Sequence, residues 1–262
     1  MESPTRDVGA RRAVNNYINS MSETSLNLAY LYPTLLNIYG DRGNILALLY
    51  RCSKLGINLN VQTIGLGESF NNEEIDIVFI GGGQDQQQLL VAQDLQQKKK
   101  ELTKSIENNV VLLAVCGGYQ LLGKYFKTKD NLEIKGIEII DLYTVAGNKR
   151  MIGNVICREI ESKETIVGFE NHSGKTYLGE STTPFAKVIR GCGNNGEDGF
   201  EGVRYKNIFG TYLHGSLLPK NPHLTDKLIR LALERKGLKI PTAEVDNLIE
   251  TQAHRRALKL HY

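Results

Sequence analysis

A single cysteine of this sequence lies where a nucleophile is expected. The run 110–115 is apolar and largely β-branched, which predicts a strand buried on both faces of a parallel sheet. Cys116 follows at once, before two glycines and a stretch, 119–126, that can form a helix. A strand-to-helix turn presents its side chain at the carboxyl end of the sheet, and a helix N-terminus stabilises a thiolate. The pattern favours a nucleophilic Cys116, although a buried structural cysteine is the alternative.

A nucleophilic cysteine needs a base to take its proton and later return it, and the sequence has five histidines. His214 ends the apolar run 208–213, a predicted strand that would bring it to the carboxyl end of the sheet. His172 is the competing candidate, and we interpret its segment, 168–174, as shaping the site. The remaining histidines are predicted to be solvated on or near exposed helical segments: His223, His254 and His261.

Acyl transfer at a cysteine also requires N–H donors for the developing oxyanion. The backbone N–H of Gly117 is one natural donor. A second should come from another strand end, and the glycines 81–83 follow a predicted strand at 75–80. A plain glycine turn is the alternative interpretation of that run.

The elements that must position these residues alternate in the first half of the chain. Strands are predicted at 26–32, 57–64, 75–80 and 110–115, with helices at 45–54, 86–107 and after Cys116. This order predicts a doubly wound, mostly parallel α/β sheet flanked by helices. After residue 130, short strands separated by turns predict an antiparallel extension folded onto the same sheet: 136–140, 152–160, 165–169, 185–190 and 207–213. A surface helix is predicted at 224–233, and the charged tail from 241 is expected to be helical.

Composition and charge argue against a nucleic-acid-binding, membrane-spanning or secreted protein. The chain has 262 residues, of which 32 are basic and 29 acidic, so its net charge is +3. A charge this small gives no sign of a surface that binds nucleic acid. It has no transmembrane run and no signal peptide, and its four cysteines lack C-x-x-C spacing. We therefore predict a reducing, cytoplasmic compartment and no structural zinc.

Two segments look like nucleotide-binding motifs, but neither has the surrounding sequence that such a motif requires. Residues 191–196 match G-x-G-x-x-G, but no helix is predicted after them. Residues 173–176 end like a P-loop, but the upstream glycine, Gly168, is one residue too early. No nucleotide or other cofactor is therefore expected in this chain.

Four segments occur in the same order as in class I, triad-type glutamine amidotransferases of the cobyric acid synthase-like branch. They are 116–120, 81–85, 168–172 and 210–215, and the resemblance covers about residues 26–236. It implies a class I glutamine amidotransferase-like α/β fold. The predicted organisation is a disordered N-terminal extension at 1–24, an amidotransferase domain at 25–240 and a C-terminal tail at 241–262.

The resemblance also implies roles for individual residues. Cys116 would attack the side-chain amide of L-glutamine to give a glutamyl thioester and ammonia. His214 would protonate the leaving ammonia and then activate water. Gly83 and Gly117 would donate to the oxyanion, and Gln120 would help to hold the substrate.

Arg150 matches an arginine of the family that binds the glutamine. This role suits its chemistry, because a guanidinium pairs bidentately with an α-carboxylate. A solvated loop arginine is the alternative.

The resemblance further implies a heterodimer. Ammonia would pass to a Mur-ligase-like (MurT-like) partner, which would use ATP and Mg²⁺ to amidate D-glutamate of lipid II in peptidoglycan synthesis. Two alternatives stay open. The ammonia would serve another acceptor, such as a cobyrinate-type corrinoid or a different muropeptide, or the chain would be a non-catalytic scaffold.

One departure from the family pattern concerns the residue that orients the histidine. Many triad amidotransferases place a glutamate two residues after it, and here that position is Ser216. A serine cannot orient an imidazolium in the same way. We therefore expect the orienting carboxylate to come from Asp41, Glu170 or the partner chain, and the isolated subunit to be poorly active.

Overall fold

The computed structural model describes residues 24–242 and 245–260. The predicted N-terminal extension lies outside these residues except for Thr24, and His261 lies outside them too. Up to residue 121 the elements alternate as predicted: β1 Ser25–Leu31, α1 Arg42–Lys54, β2 Asn58–Ile64, β3 Ile77–Ile80, α2 Asp85–Glu107, β4 Val111–Val115 and α3 Gly117–Leu121. The second half contains β5 Tyr125–Lys127, β6 Glu133–Lys135, β7 Leu142–Glu159, β8 Thr165–Leu178, β9 Ala186–Arg190, β10 Phe200–Glu201, β11 Val203–Tyr205, β12 Ile208–Thr211, α4 Pro222–Arg235 and α5 Leu248–Ala257.

The first sheet has six strands in the order β11-β12-β4-β3-β1-β2. Every neighbouring pair is parallel except β11 with β12. The central strands β3, β4 and β12 are buried along their whole length, which explains their unbroken apolar sequences. Because β12, β4, β3 and β1 are parallel neighbours, the loops that follow them meet at one edge of the sheet.

The predicted strand at 207–213 contains β12 and joins the first sheet, parallel to β4. The rest of the extension forms a sheet of its own, so the expectation that all of it folds onto the first sheet is wrong. Its path is β10-β9-β7-β5-β6, with β8 paired to β7. All of these pairs are antiparallel except β5 with β7. The long hairpin of β7 and β8 dominates it and meets the first sheet at the isolated bridge between Phe169 and His214. The sequence pattern did not reveal this second sheet, because the short strands predicted at 152–160 and 165–169 correspond to parts of two much longer strands, β7 and β8.

The helix after Cys116 is shorter than predicted. It ends at Leu121, and Tyr125–Lys127 forms strand β5 instead. Gly123 lies so close to Leu142 that a Cβ there would come within 2.1 Å of its side chain. This contact with β7 turns the chain out of the helix and into the second sheet.

The predicted strand at 136–140 is also absent among the described residues. Its backbone N–H groups instead donate to the carbonyl oxygens around the end of α3, as from Ile137 to Leu121 and from Glu138 to Gly123. The segment is apolar because it covers the end of this helix, and residues Ile137 and Ile140 are buried there. The tail is helical over Leu248–Ala257, as expected. No helix in the described ranges has the length and apolar character needed to cross a bilayer.

Candidate active site

The predicted nucleophile and base meet at the carboxyl edge of the first sheet. Cys116 follows β4, and its backbone N–H donates to the carbonyl oxygen of Thr211 in the neighbouring strand β12, at 2.8 Å. His214 lies three residues after Thr211, beyond the end of β12. Cys116 has a φ of +49° and a ψ of −107°, a strained conformation for a non-glycine residue and one found at functional sites. The nucleophile turn predicted from the sequence is therefore present.

Gly82 lies at the centre of this edge. A Cβ on Gly82 would come within 2.7 Å of Cε1 of His214, 3.2 Å of Cβ of Cys116 and 3.3 Å of Oδ2 of Asp41. Only a glycine leaves room for all three side chains around one backbone position. The contact also shows that Cys116 and His214 pack against the same face of the glycine loop.

Asp41 is the carboxylate that orients His214. Its Oδ1 lies 3.3 Å from Nδ1 of His214, and its Oδ2 accepts a hydrogen bond of 2.7 Å from the N–H of Gly82. Both side chains are fully buried. Asp41 follows β1, so its loop passes over the end of β3 to reach the histidine. Of the two residues of this chain expected to supply this carboxylate, the structure places Asp41, and not Glu170, against His214.

Glu170 has a different role. Its carboxylate accepts hydrogen bonds from the backbone N–H groups of Cys192 and Gly193, at 2.8 and 2.9 Å. It therefore stabilises the turn 191–196, the segment that resembled a dinucleotide motif. His172 also differs from a base: its Nδ1 lies 2.7 Å from the carbonyl oxygen of Gly174, and its ring stacks on Tyr212 at 3.6 Å.

The electrostatics of the site favour a protonated His214. Burial lowers the pKa of its imidazole, but the charge of Cys116 and the hydrogen bond to Asp41 outweigh burial and raise the pKa to about 10. Within the described residues, Nε2 of His214 makes no hydrogen bond. The ring of Tyr39 covers the histidine edge-on at 5.1 Å. A charged imidazolium with a free Nε2 can both stabilise a thiolate and deliver a proton.

The two glycines expected to form an oxyanion hole are adjacent to the same glutamine. Gln88 donates from Nε2 to the carbonyl oxygen of Gly83 at 3.0 Å, and its side chain lies against Gly117, where a Cβ would come within 2.9 Å. In the described part of the chain, the backbone N–H groups of Gly83 and Gly117 have no acceptor. Gly82 is excluded as a free donor, because its N–H binds Asp41.

A cavity of about 400 Å³ opens beside Cys116, and the other predicted substrate-binding residues line it. Gln120 is buried and donates from Nε2 to the hydroxyl of Tyr212 at 2.9 Å, while its Oε1 has no partner among the described residues. Arg150 is exposed at the rim, where four residues of β7, 147–150, stand opposite Ser173 of β8 alone. Its Nε donates to Oδ1 of Asn171. The structure thus brings Gly83, Cys116, Gln120 and Arg150 to one cavity.

Buried residues that were not predicted from the sequence support the side chains of the site. Glu201 is buried, and one of its carboxylate oxygens accepts hydrogen bonds from the hydroxyl of Thr211 and from the backbone N–H of Tyr212, at 2.5 and 2.9 Å. Burial raises the pKa of Glu201 to about 7. The hydroxyl of Tyr212 contacts both Gln120 and Thr176. The local signal of this network was the pair Thr211 and Tyr212 in a run that is otherwise free of polar side chains.

The prediction that His223 and His254 are solvated is wrong. His223 and His254 are both half-buried and face each other at 5.8 Å. His254 lies 2.8 Å from the carbonyl oxygen of Lys220 and 2.9 Å from the hydroxyl of Thr165, because α5 docks against these segments. They lie outside the cavity that contains Cys116.

Solved structures share this fold. A glutamine amidotransferase from Thermotoga maritima aligns with a TM-score of 0.53, covering 89% of this chain and 92% of that chain at 14% identity. At this identity the likeness concerns the fold alone. The fold is that of the class I glutamine amidotransferases, as predicted.

Sequence comparison identifies the family. Residues 27–222 match the CobB/CobQ-like glutamine amidotransferase domain, and the chain belongs to this family. It is 44% identical over 228 residues to the lipid II isoglutaminyl synthase (glutamine-hydrolyzing) subunit GatD of Staphylococcus aureus, covering 87% of this chain and 93% of that protein. It is 43% identical over 212 residues to the GatD subunit of Streptococcus pneumoniae, covering 80% and 82%. The resemblance drawn from the four segments is confirmed.

Proposed function

We propose that this protein is the glutamine-hydrolysing subunit of a lipid II isoglutaminyl synthase. The observation that carries the chemistry is the buried contact between Asp41 and His214 beside the strained Cys116. An intact nucleophile, base and orienting carboxylate favour an active glutaminase over a non-catalytic scaffold. The two relatives that cover most of the chain carry this role in their names.

The reaction begins with a thiolate of Cys116 paired with the imidazolium of His214. Sulfur attacks the side-chain carboxamide carbon of L-glutamine, and the carbonyl electrons move onto oxygen, where the N–H groups of Gly83 and Gly117 donate. His214 then gives its Nε2 proton to the amide nitrogen, the C–N bond breaks, and ammonia leaves. Water loses a proton to His214 and attacks the thioester, which releases glutamate and restores the thiolate.

The cavity suits the main-chain groups of a free amino acid. Arg150, at the rim, pairs with the α-carboxylate, and Oε1 of Gln120, which has no partner in the described part of the chain, accepts from the α-ammonium. Such an arrangement selects glutamine over a peptide-bound glutamine, whose α-groups are amides.

The ammonia is consumed by a second subunit, which we propose is a Mur-ligase-like (MurT-like) protein that binds ATP and Mg²⁺ and activates the α-carboxyl of D-glutamate in lipid II. Ammonia that escapes into water is protonated and no longer a nucleophile. Its source therefore docks against its consumer, in agreement with the word "subunit" in the relatives' names.

Glutamate release from L-glutamine tests the proposal, measured for wild type and Cys116→Ala with and without the co-expressed ligase subunit. Cys192→Ala is the matched control, because Cys192 is a free thiol in a turn outside the cavity. We expect release by wild type and Cys192→Ala, stimulation by the partner, and none by Cys116→Ala. Equal, near-zero release by all three proteins would support the scaffold.

The acceptor requires a separate measurement. Glutamine labelled with ¹⁵N in its side-chain amide, supplied with ATP and lipid II, should transfer the label to the α-carboxamide of D-isoglutamine. Label that appears instead in a corrinoid or another muropeptide would keep the glutaminase and change the acceptor.

A further inference from the structure

Ser216 contacts the loop that carries the orienting carboxylate. Its hydroxyl donates a hydrogen bond of 2.5 Å to the backbone carbonyl oxygen of Gly40, across 176 residues of sequence. Asp41 is the next residue after Gly40. The bond therefore joins the segment after His214 to the loop 37–44 immediately before the carboxylate that binds His214.

Both segments are shaped for this contact. Ser216 has a φ of +47°, in the left-handed region that non-glycine residues rarely adopt. A Cβ on Gly43 would come within 2.0 Å of Oγ and 2.8 Å of Cβ of Ser216, so only a glycine at 43 leaves room for the serine. Backbone strain that the surroundings hold in place is typical of functional sites.

Hydrogen bonds hold the loop 37–44 in place, and Asp41 lies between two of them. On one side, Oδ2 of Asp41 accepts from the N–H of Gly82. On the other, the Ser216 bond fixes the preceding peptide. Further along, Oδ1 of Asn44 accepts from the N–H of Leu218 at 2.9 Å.

We propose that Ser216 is a positioning residue that holds Asp41 against His214, an inference that rests on the glutaminase function proposed above. Its side chain does not reach the histidine, and it acts through the backbone of Gly40. The position two residues after the histidine thus keeps a part in orienting the imidazole, although the carboxylate itself comes from a different loop.

Ser216→Ala removes the hydroxyl and keeps a Cβ, so it isolates the hydrogen bond. Ser53→Ala is the matched control, since the Ser53 hydroxyl also donates to a backbone carbonyl, that of Tyr50, at 3.1 Å on α1. With the partner subunit present, we expect Ser216→Ala to lower kcat by roughly ten- to a hundredfold with KM little changed, because a small misplacement of a catalytic group costs rate rather than binding. Ser53→Ala should behave as wild type.

A second measurement does not depend on turnover. The pKa of His214 is read from ¹⁵N-histidine NMR, and its resonance is assigned by its loss in His214→Gln. The charged groups that raise this pKa are Cys116 and Asp41, and the Tyr39 ring lies against the imidazole. We expect Ser216→Ala to lower the pKa of His214, in the same direction as Asp41→Asn and by less. Gly43→Ala, which keeps the hydroxyl but leaves it no space, should do the same.

The two proposals fail in different ways. If the wild-type complex releases no glutamate, the glutaminase is wrong, and the NMR titration still decides the role of Ser216. If the pKa of His214 in Ser216→Ala equals that of wild type, the positioning role is overturned, whatever the rate.

Discussion

The carboxylate of Asp41 lies 3.3 Å from Nδ1 of His214, although 173 residues separate them. The same carboxylate binds the N–H of Gly82, the residue before the proposed oxyanion donor Gly83. One side chain therefore fixes both the histidine and the glycine loop. A change in Asp41 should affect proton transfer and oxyanion stabilisation together.

Asp41→Asn should lower kcat for glutamine hydrolysis by roughly 10²- to 10⁴-fold, the usual share of a positioned acid–base catalyst. KM should change little, because Asp41 does not line the cavity. Steady-state glutamate release by the complex measures both constants. Glu170→Gln is the control, since Glu170 is also a buried carboxylate near the site, and in the described residues it accepts hydrogen bonds from the turn 191–196 and lies 3.9 Å from His172 rather than against His214. Loss of activity in Glu170→Gln with retention in Asp41→Asn would reverse the assignment.

Arg150→Ala should raise KM for glutamine by roughly ten- to a hundredfold, which corresponds to about 1.5–3 kcal/mol for a hydrogen-bonded charged group. The value of kcat at saturating glutamine should stay close to wild type, because the guanidinium contacts the substrate away from the reacting amide. Arg158→Ala tests specificity, since Arg158 is an exposed arginine of the same strand outside the cavity. An unchanged KM in Arg150→Ala would mean that Arg150 is a solvated rim residue.

Gly82→Ala should abolish hydrolysis and destabilise the fold. Its Cβ would lie 2.7 Å from Cε1 of His214, and overpacking of this kind costs about 1–3 kcal/mol. Thermal unfolding and glutamate release give the two effects. Gly65→Ala provides the comparison at the end of β2, where a Cβ would make only an ordinary contact of 3.6 Å with Glu68. Full activity in Gly82→Ala would show that the three side chains do not meet there.

Glu201 should make stability depend on pH. Burial raises its folded-state pKa to about 7, so the folded state binds this proton more tightly than the unfolded chain does. The stabilisation is fully present below the unfolded pKa, about 4.5, and is lost as pH rises through about 7, a difference of about 3 kcal/mol. Glu201→Gln keeps an uncharged acceptor for Thr211 and Tyr212 at every pH.

Urea unfolding between pH 4 and 8 measures this effect. Relative to Glu201→Gln, the wild-type protein should lose free energy of unfolding over this range. Glu180→Gln, at an exposed carboxylate, should follow the wild-type curve. Parallel curves for wild type and Glu201→Gln would show that the carboxyl does not titrate in this range.

The site residues that could be placed from the sequence are those whose position depends on the single strand that precedes them. Cys116 and His214 each end an unbroken apolar run, and a strand buried in a parallel sheet brings its last residue to the carboxyl edge whatever the loops do. The same reasoning located Gly83 and Gly117. The predictions that failed lie where one segment packs against a distant one, as Gly123 does against Leu142.

The amino-acid sequence by itself determined the order of the elements, the parallel sheet and the positions of Cys116 and His214 at its edge, because hydrophobic periodicity and turn residues act over a few neighbouring positions. Tertiary structure alone decided between Asp41 and Glu170, gave Ser216 its contact with Gly40, and divided the extension between the two sheets. These outcomes depend on the paths of loops across the ends of other strands. Residues more than 170 positions apart meet there, and no local pattern of side chains records which of them will touch.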